Sequence, residues 1–458
     1  MIYRIAGGWR FFVIIVLVSA FAGLGYRGAS AKPKKRKYRE GQKSEIKKIM
    51  KEMVKYLNTD DEEKRAKLIT KMKRLGRAKA FSTFEKAAQA SLNMRKPFKK
   101  GYSEVETENA TDISIYVPSG YSPAKPRPLV VALHHSATGE PWKEMVTLYL
   151  RSNLESKKYL AVLPQNPGFG WTAPKSARKV IDAIEYMIEN FNVDINRIFL
   201  FGYQFGANGC WYMACYHGSR FAGVASLGGA LNDERLLNAA NVPILAYAAS
   251  DDASTTPDEL EKLAKKLTDA GGNITVKTVT AGPESAAIKG ALYSQVKYCF
   301  QFFEKQRRNP LPRKFRWELP LRGDDFGYYL AFGEQWEGTV EVEVASESRI
   351  DIKTTEEIEG FTLLLSDSLF NLEEPIEVFV NGERKFFDKK PGDIVFLLDC
   401  REGWGRSRCF ANKIDFTELK PEKPKKETKR RKRKRADEDE DEDKDEDKGR
   451  EKDEEEKP

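Results

Sequence analysis

A buried strand, a tight bend and a helix are predicted by Arg197-Ile-Phe-Leu-Phe-Gly-Tyr-Gln-Phe-Gly-Ala-Asn-Gly209. β-Branched and aromatic residues fill the first half, and the helical run Cys210 to Tyr216 follows. Gly202 and Gly206 flank Gln204 at two positions on either side, where a Cβ would collide across a strained bend. The central Gln204 is an amide, which has no ionisable proton and no useful nucleophilicity.

Strands and helices alternate on both sides of this stretch. The predicted strands are Asp112–Val117, Pro128–Leu133, Tyr159–Leu163, Phe221–Leu227, Val242–Ala248 and Ile274–Val279, and the predicted helices are Ala177–Asn190, Pro257–Asp269 and Ala291–Arg307. This alternation is typical of a doubly wound, mostly parallel sheet. The fold class predicted for residues 102–310 is therefore α/β, with binding sites beyond the carboxyl ends of the strands.

The N-terminus has the pattern of an export signal. Arg4 and Arg10 precede the apolar run Phe11–Leu24, and Ala29-Ser30-Ala31 supplies the small residues that a signal peptidase reads. We expect residues 1–31 to be a signal peptide and the protein to be exported to the periplasm, the cell surface or the medium. An uncleaved segment would instead anchor the protein in a membrane.

A basic helical arm is predicted over residues 32–101, which carry 24 Lys and Arg against 8 Asp and Glu. Thr59 is expected to cap one helix and Gly76 to end it, while Ser82 and Glu85 fit a capping box at the start of the next. The positive surplus suits contact with a polyanion or the cell envelope, and a solvated face of a structural arm is the alternative. Specific nucleic-acid recognition is not expected.

The rhythm changes after Asn309. Short strands from Phe315 onward predict a small all-β module over residues 311–419, in which Asn381-Gly382 is a hairpin turn. Residues 420–458 join a basic block to an acidic block and have too few apolar residues for a core. We expect this tail to be disordered.

The few histidines and cysteines argue against a metal site. The chain has three histidines and five cysteines, and their spacing fits no zinc motif. We therefore expect neither a metal nor another cofactor. Cys400 and Cys409 flank a short loop and either form a disulfide or remain buried thiols.

Residues 110–310 resemble secreted α/β-hydrolases of the polyhydroxybutyrate-depolymerase-like or prolyl-oligopeptidase-like esterase group. The resemblance is carried by Leu129-Val-Val-Ala-Leu-His134, by Arg197–Gly206 and by Phe221-Ala-Gly-Val-Ala-Ser226. Phe315–Phe416 also resembles the β module that follows the hydrolase domain in a subset of these enzymes. The resemblance implies an α/β-hydrolase fold and serine esterase ancestry.

In that family the bend carries the nucleophilic serine, and here Gln204 takes its place. The family's oxyanion-hole segment reads Leu-His-Gly, whereas this chain has His134 followed by His135, so the oxyanion-hole region would comprise these two residues and Phe205. The acid position falls on Asp252. The histidine position, after the strand that ends at Val279, falls near Glu284 or Ser285, and no histidine follows His217. The catalytic triad is thus degenerate.

These replacements predict a pseudoenzyme that acts by binding or as a scaffold, because loss of triad members costs factors of roughly 10⁴ to 10⁶ in rate. Trp171, Tyr203, His135 and the Gln204 amide would line a former active-site cleft for a sugar, peptide or acyl ligand. Trp171 and Tyr203 equally fit simple core packing. The alternative function is an active ester or peptide hydrolase that uses Asp252 and Glu284 as a carboxylate pair.

Overall fold

The computed structural model describes residues 38–419 except 93–97, 108, 110, 136–139, 167–169, 320–325, 334, 336 and 418. The predicted signal peptide and charged tail lie outside the described residues. Within the described part of the chain, no helix is both long and apolar enough to cross a membrane.

The N-terminal half of the described chain builds three helices and then the alternating region predicted from the sequence. The elements are α1 (Lys43–Tyr56), α2 (Glu62–Leu75), α3 (Ser82–Ala90), β1 (Gly101–Glu106), β2 (Asp112–Val117), β3 (Arg127–Leu133), α4 (Pro141–Glu144), a π-helix (Met145–Leu150), α5 (Arg151–Lys157), β4 (Leu160–Pro164), α6 (Pro174–Asn190), β5 (Val193–Tyr203), α7 (Phe205–His217), β6 (Gly223–Leu227), β7 (Ile244–Ala249), α8 (Pro257–Asp269), β8 (Ile274–Val279), α9 (Ser285–Tyr293) and α10 (Val296–Lys305).

Eight strands form one sheet in the order β1-β2-β4-β3-β5-β6-β7-β8. The pairs β1·β2 and β2·β4 are antiparallel, and the remaining pairs are parallel. This is the α/β-hydrolase strand order, so the predicted fold class is confirmed. Because β5 lies in the middle of the sheet, its carboxyl end and the turn into α7 are enclosed by neighbouring strand ends.

Apolar side chains cover both faces of this sheet, as a parallel sheet requires. One core packs the sheet against α6, α7 and α8, and includes Val131 and Trp211. The other packs it against α5, α9 and α10, and includes Phe201 and Phe300. The helix predicted as Ala291–Arg307 is in fact two helices, α9 and α10, because the chain bends at Ser294 and Gln295 between them.

The C-terminal region is β-rich, as predicted, but it is not all-β. It contains β9 (Lys314–Glu318), β10 (Phe326–Gly327), β11 (Leu330–Ala331), β12 (Thr339–Ser346), β13 (Arg349–Thr354), β14 (Phe361–Leu365), β15 (Ile376–Val380), β16 (Glu383–Asp388), α11 (Ile394–Trp404) and β17 (Asn412–Phe416). Asn381 and Gly382 form the predicted hairpin turn between β15 and β16, both at positive φ. Cys400 and Cys409 are buried free thiols.

Helix α11 explains how the N-terminal helices are held. Ile49, Met53 and Phe84 from α1 and α3 share one hydrophobic core with Ile394 and Leu397 from α11. A short helix gains most of its stability from packing of its apolar face rather than from the helix propensity of its residues. The arm is therefore fixed to the β-rich region by a helix that the strand pattern did not indicate.

Two predicted helix caps in the arm are wrong. Helix α2 is capped by Asp61, whose carboxylate accepts a hydrogen bond from the Lys64 backbone N–H at 3.0 Å, and not by Thr59. Glu85 does not form a capping box. It is 2% exposed, and its carboxyl accepts hydrogen bonds from the Ser366 hydroxyl at 3.1 Å and the Asp367 backbone N–H at 3.2 Å. A tertiary contact has replaced the local one.

Candidate functional site

The turn between β5 and α7 has the strained conformation predicted from its glycines. Gln204 lies at φ 47° and ψ −114°, which non-glycine residues rarely adopt. A Cβ on Gly202 would lie 2.3 Å from the Gly206 carbonyl oxygen, and a Cβ on Gly206 would lie 1.9 Å from the Leu133 carbonyl oxygen. Both positions exclude any side chain, so the close approach of β3 and α7 depends on them.

Gln204 occupies the centre of this bend. Its backbone N–H donates to the Leu227 carbonyl at 2.9 Å, which ties the bend to the end of β6. The side chain is partly exposed and the following Phe205 is 65% exposed. Strain of about 1 to 3 kcal/mol at such a residue persists only where the surrounding structure imposes it. The surrounding structure therefore imposes the bend on a residue that is a neutral amide.

Asp252 lies beside the bend, in the loop that follows β7. It is 4% exposed, and its Oδ1 accepts hydrogen bonds from the Ser254 backbone N–H at 2.9 Å and the Ser254 hydroxyl at 2.6 Å. Its Oδ2 has no hydrogen-bond partner among the described residues and faces Gly228, where a Cβ would lie 3.3 Å away. The carboxylate is thus buried near the end of β6 with one oxygen unpartnered among the described residues, and its role as an acid stays a prediction.

Tyr203 anchors an aromatic cluster at the end of β5. Its ring lies 5.2 Å from that of His135 and 4.8 Å from that of Tyr293, which in turn stacks on Tyr149 at 3.6 Å. Tyr203 is 2% exposed, and burial together with the nearby Asp252 charge raises its pKa to about 12. The cluster fills space next to the bend with ring surface.

An ion pair joins the two helical segments that carry Tyr149 and Tyr293. The Lys289 ammonium donates to the Glu144 carboxylate at 2.7 Å, and the Tyr149 hydroxyl donates to the same carboxylate at 3.3 Å. The hydrogen bond from Lys289 lowers the pKa of Glu144. Sequence reasoning missed these four residues, because nothing in the local pattern around the π-helix or α9 brings the two segments together.

The surroundings of His135 shift the pKa of its imidazole. Burial lowers its pKa, and the positive charge of Lys289 lowers it further. Its Nδ1 is buried without a hydrogen-bond partner among the described residues. Among the described residues, no carboxylate accepts a hydrogen bond from His135 Nδ1, so this atom is not oriented as it would be in a general base.

His134 follows the last residue of β3 and contacts other aromatic side chains than His135 does. It is 2% exposed, and its ring lies 5.3 Å from Trp142 and 5.0 Å from Trp171. Its Nε2 accepts a hydrogen bond from the Asn166 backbone N–H at 3.2 Å, and its carbonyl accepts one from the Trp171 indole at 2.9 Å. These contacts describe a packing role.

Trp171 is 3% exposed and lies against α7. A Cβ on Gly209 would come within 2.3 Å of the Trp171 Cβ, so this glycine is needed for the contact. The structure therefore places both predicted pocket aromatics, Trp171 and Tyr203, in the interior. Ligand binding by either residue stays a prediction.

Glu284 and Ser285 are not brought into the cluster. Both are exposed, and Glu284 precedes the first residue of α9 without capping it through its side chain. No hydrogen bond links Glu284 to the buried Asp252 in the described chain. The site thus combines Gln204, Tyr203, His135 and Asp252, with Phe205 at its exposed edge. Among the described residues, no group of three His, Cys, Asp or Glu side chains is arranged to hold a metal ion.

Comparison with known proteins finds similarity over part of the chain. The model of the dienelactone hydrolase family matches residues 169–281, about a quarter of the chain. A search of proteins of curated function finds no match.

Solved structures with a similar region include several esterases and peptidases. A thermostable esterase is 19% identical with a TM-score of 0.40, and the match covers 45% of this chain and 62% of the esterase. A putative dipeptidyl aminopeptidase IV from Bacteroides ovatus is 15% identical with a TM-score of 0.38, covering 45% of this chain and 35% of that one. A fluorophosphonate-binding serine hydrolase from Staphylococcus aureus is 12% identical with a TM-score of 0.37, covering 45% of this chain and 99% of that one. The similarity thus spans less than two thirds of the length of the first two proteins.

Proposed function

We propose that this chain is an exported α/β-hydrolase-fold protein of serine esterase or depolymerase ancestry that has lost serine catalysis and acts by binding. The observation that carries the proposal is Gln204 at φ 47° in the bend, in the position of a nucleophile. An amide there cannot form an acyl-enzyme. The strained backbone persists without the chemistry that such strain serves in an enzyme.

The lack of a general base supports the same conclusion. The sequence contains no histidine after His217, and the acid at Asp252 therefore has no imidazole downstream. His134 is packed between two tryptophans, and His135 lies against Tyr203 with a lowered pKa. Neither contacts Gln204 through a hydrogen bond in the described chain.

The partly exposed edge of the site supports a binding role. Phe205 is 65% exposed directly beside Gln204, so its ring is accessible to a ligand that contacts the Gln204 amide. A sugar, peptide or acyl group would contact this ring and the Gln204 amide. The basic arm over residues 32–101 would serve envelope or polyanion contact.

The test of lost catalysis uses the full chain with a fluorophosphonate probe and with p-nitrophenyl acetate. We expect neither labelling nor turnover above a heat-killed control, while an active serine esterase assayed in parallel gives both. Gln204→Ser is expected to remain as inactive as its matched control Gln204→Ala, because a serine without a base gains little nucleophilicity. Labelling of the native chain at the bend would refute the proposal.

The alternative, hydrolysis by Asp252 and Glu284, predicts a different result. Such an enzyme would ignore the probe, turn over an ester or peptide, and lose that activity in Asp252→Asn. Asp252 is buried and Glu284 is exposed, which does not suit two carboxylates acting on one water. A thermal-shift screen of glycans and acyl esters then distinguishes a binding protein from a scaffold. A binding protein should show a saturable rise in melting temperature that Phe205→Ala weakens, and a scaffold should show no rise.

A further inference from the structure

Three arginines line a small, partly open cavity between residues of the arm, of the α/β region and of the β-rich region. The cavity has a volume of about 40 Å³, and its lining includes Arg220, Arg308 and Arg408. Gln89 from the end of α3 and Ser366 from the β-rich region also line it. None of its described lining residues is Asp or Glu.

Neutral groups make several of the contacts to these guanidinium groups. Arg308 donates to the Asn196 side-chain oxygen at 3.2 Å and to the Ser219 carbonyl at 3.2 Å. Arg408 lies 4.0 Å above the ring of Phe326, and Arg220 pairs with the Glu185 carboxylate at 2.7 Å. Three guanidinium groups, one of them paired with a carboxylate, thus lie at the wall of one cavity.

Burial and neighbouring charges both act on the guanidinium of Arg308. Burial, which is the larger cause, and the charges of Arg408 and Arg220 together lower the pKa of its guanidinium to about 10. Tyr328, another lining residue, is buried at φ 59°, a strained conformation for a bulky side chain. Backbone strain of this kind clusters at functional sites, including those that hold a ligand.

We propose that this cavity binds a small inorganic oxyanion, such as phosphate or sulfate. Guanidinium groups recognise such anions through paired, charge-assisted hydrogen bonds. The volume has room for about three water-sized groups, which suits a free ion better than a sugar phosphate or a polymer. The serine hydroxyls of Ser219 and Ser407 provide further donors at the wall.

A bound oxyanion would tie three parts of the chain together. Arg220 belongs to the hydrolase region, Arg308 to the linker after α10, and Arg408 to the loop after α11. Because the unfolded chain lacks this arrangement, the ion binds the folded state alone and raises its stability by mass action. The role is structural and independent of the bend at Gln204.

The test measures binding of inorganic phosphate to the full chain after dialysis into a phosphate-free buffer. We expect equilibrium dialysis with labelled phosphate to give one saturable site, and thermal denaturation to show a saturable rise at constant ionic strength. Sulfate competes, whereas chloride at the same ionic strength does not. Absence of saturable binding, or an equal effect of chloride, overturns the proposal.

Arg308→Gln is expected to weaken phosphate binding about tenfold or more, because it removes a charge-assisted contact. Arg307→Gln is the matched control, since the Arg307 side chain is 60% exposed and pairs with Asp194 outside the cavity. Unchanged affinity in Arg308→Gln refutes the site. If Arg308→Gln does not fold, Arg408→Gln takes its place in the binding assay. Unchanged phosphate affinity in that variant, or no saturable binding to the native chain, then refutes the site.

Two further ligands distinguish the source of the anion. Glycerol phosphate and a heparin oligosaccharide are too large for the cavity, so neither is expected to displace labelled phosphate. Heparin that binds without displacing phosphate occupies another surface, such as the basic arm. Displacement by glycerol phosphate at the same concentration as sulfate would overturn the assignment to a free inorganic ion.

Discussion

The same substitution, glycine to alanine, is expected to have opposite effects at two helical positions. Gly206 lies in the first turn of α7, directly after the bend, and Gly290 lies inside α9. A Cβ at 206 would lie 1.9 Å from the Leu133 carbonyl oxygen, whereas a Cβ at 290 would have no neighbour within 4 Å. The pair therefore separates a steric requirement from helix propensity.

The magnitudes follow from these contacts. At Gly206 the clash is with backbone, so β3 and α7 must separate by more than about 1 Å, and overpacking of this kind costs about 3 kcal/mol or more. At Gly290 the alanine gains about 0.8 to 1 kcal/mol, because glycine loses more backbone entropy on folding into a helix. The two variants should differ by about 4 kcal/mol in free energy of unfolding.

Urea denaturation followed by circular dichroism measures this difference, with the midpoint of each variant compared at unchanged slope. Gly206→Ala should unfold at lower urea than the native chain, and Gly290→Ala at slightly higher urea. A Gly206→Ala variant as stable as the native chain would show that the bend does not bring α7 against the end of β3, and the placement of Gln204 would then be wrong.

Three further outcomes are expected. Burial is the main cause that raises the pKa of Glu85 to about 8. The free energy of unfolding should therefore fall by about 1.4 kcal/mol per pH unit from about pH 4.5 to 8. Urea midpoints measured across this range should show the fall in the native chain and not in Glu85→Gln. Trp171→Phe should lower the free energy of unfolding by about 1 kcal/mol more than Trp142→Phe does. The Trp171 indole donates a hydrogen bond to the His134 carbonyl, whereas the Trp142 indole has no hydrogen-bond partner among the described residues. All five cysteines are buried thiols, so a thiol reagent should react with none of them in the folded protein and with all five in urea. Reaction with fewer than five in urea would indicate a disulfide.

The strands of the sheet were predictable because they are short runs, either continuously apolar or alternating, bounded by turn residues. The prediction of Asp112–Val117 and Ile274–Val279 as strands and of Pro257–Asp269 as a helix is confirmed to the residue. Boundaries failed where a pattern extended through a break, as at Ser294 between α9 and α10. Helix α11 was missed, since an apolar run such as Ile394–Leu398 does not by itself distinguish a helix from a strand.

Glu85 shows why local capping signals mislead at an interface. Its position three residues after Ser82 fits a capping box, but the Ser366 hydroxyl and the Asp367 backbone offer the carboxyl hydrogen bonds inside the fold. Those partners are more than 280 residues away along the chain. No window of sequence around Glu85 contains this information.

The sequence by itself determined the bend, because only glycine fits at positions 202 and 206, and it determined that an amide stands at the centre of that bend with no histidine downstream. The tertiary structure decided what surrounds the bend: Tyr149 stacked on Tyr293, the Glu144–Lys289 pair, and the burial of Asp252 without an imidazole. The reason is physical. Backbone sterics act between neighbours in the chain and are written in local sequence, whereas packing and charge pairing act between segments that only folding brings together.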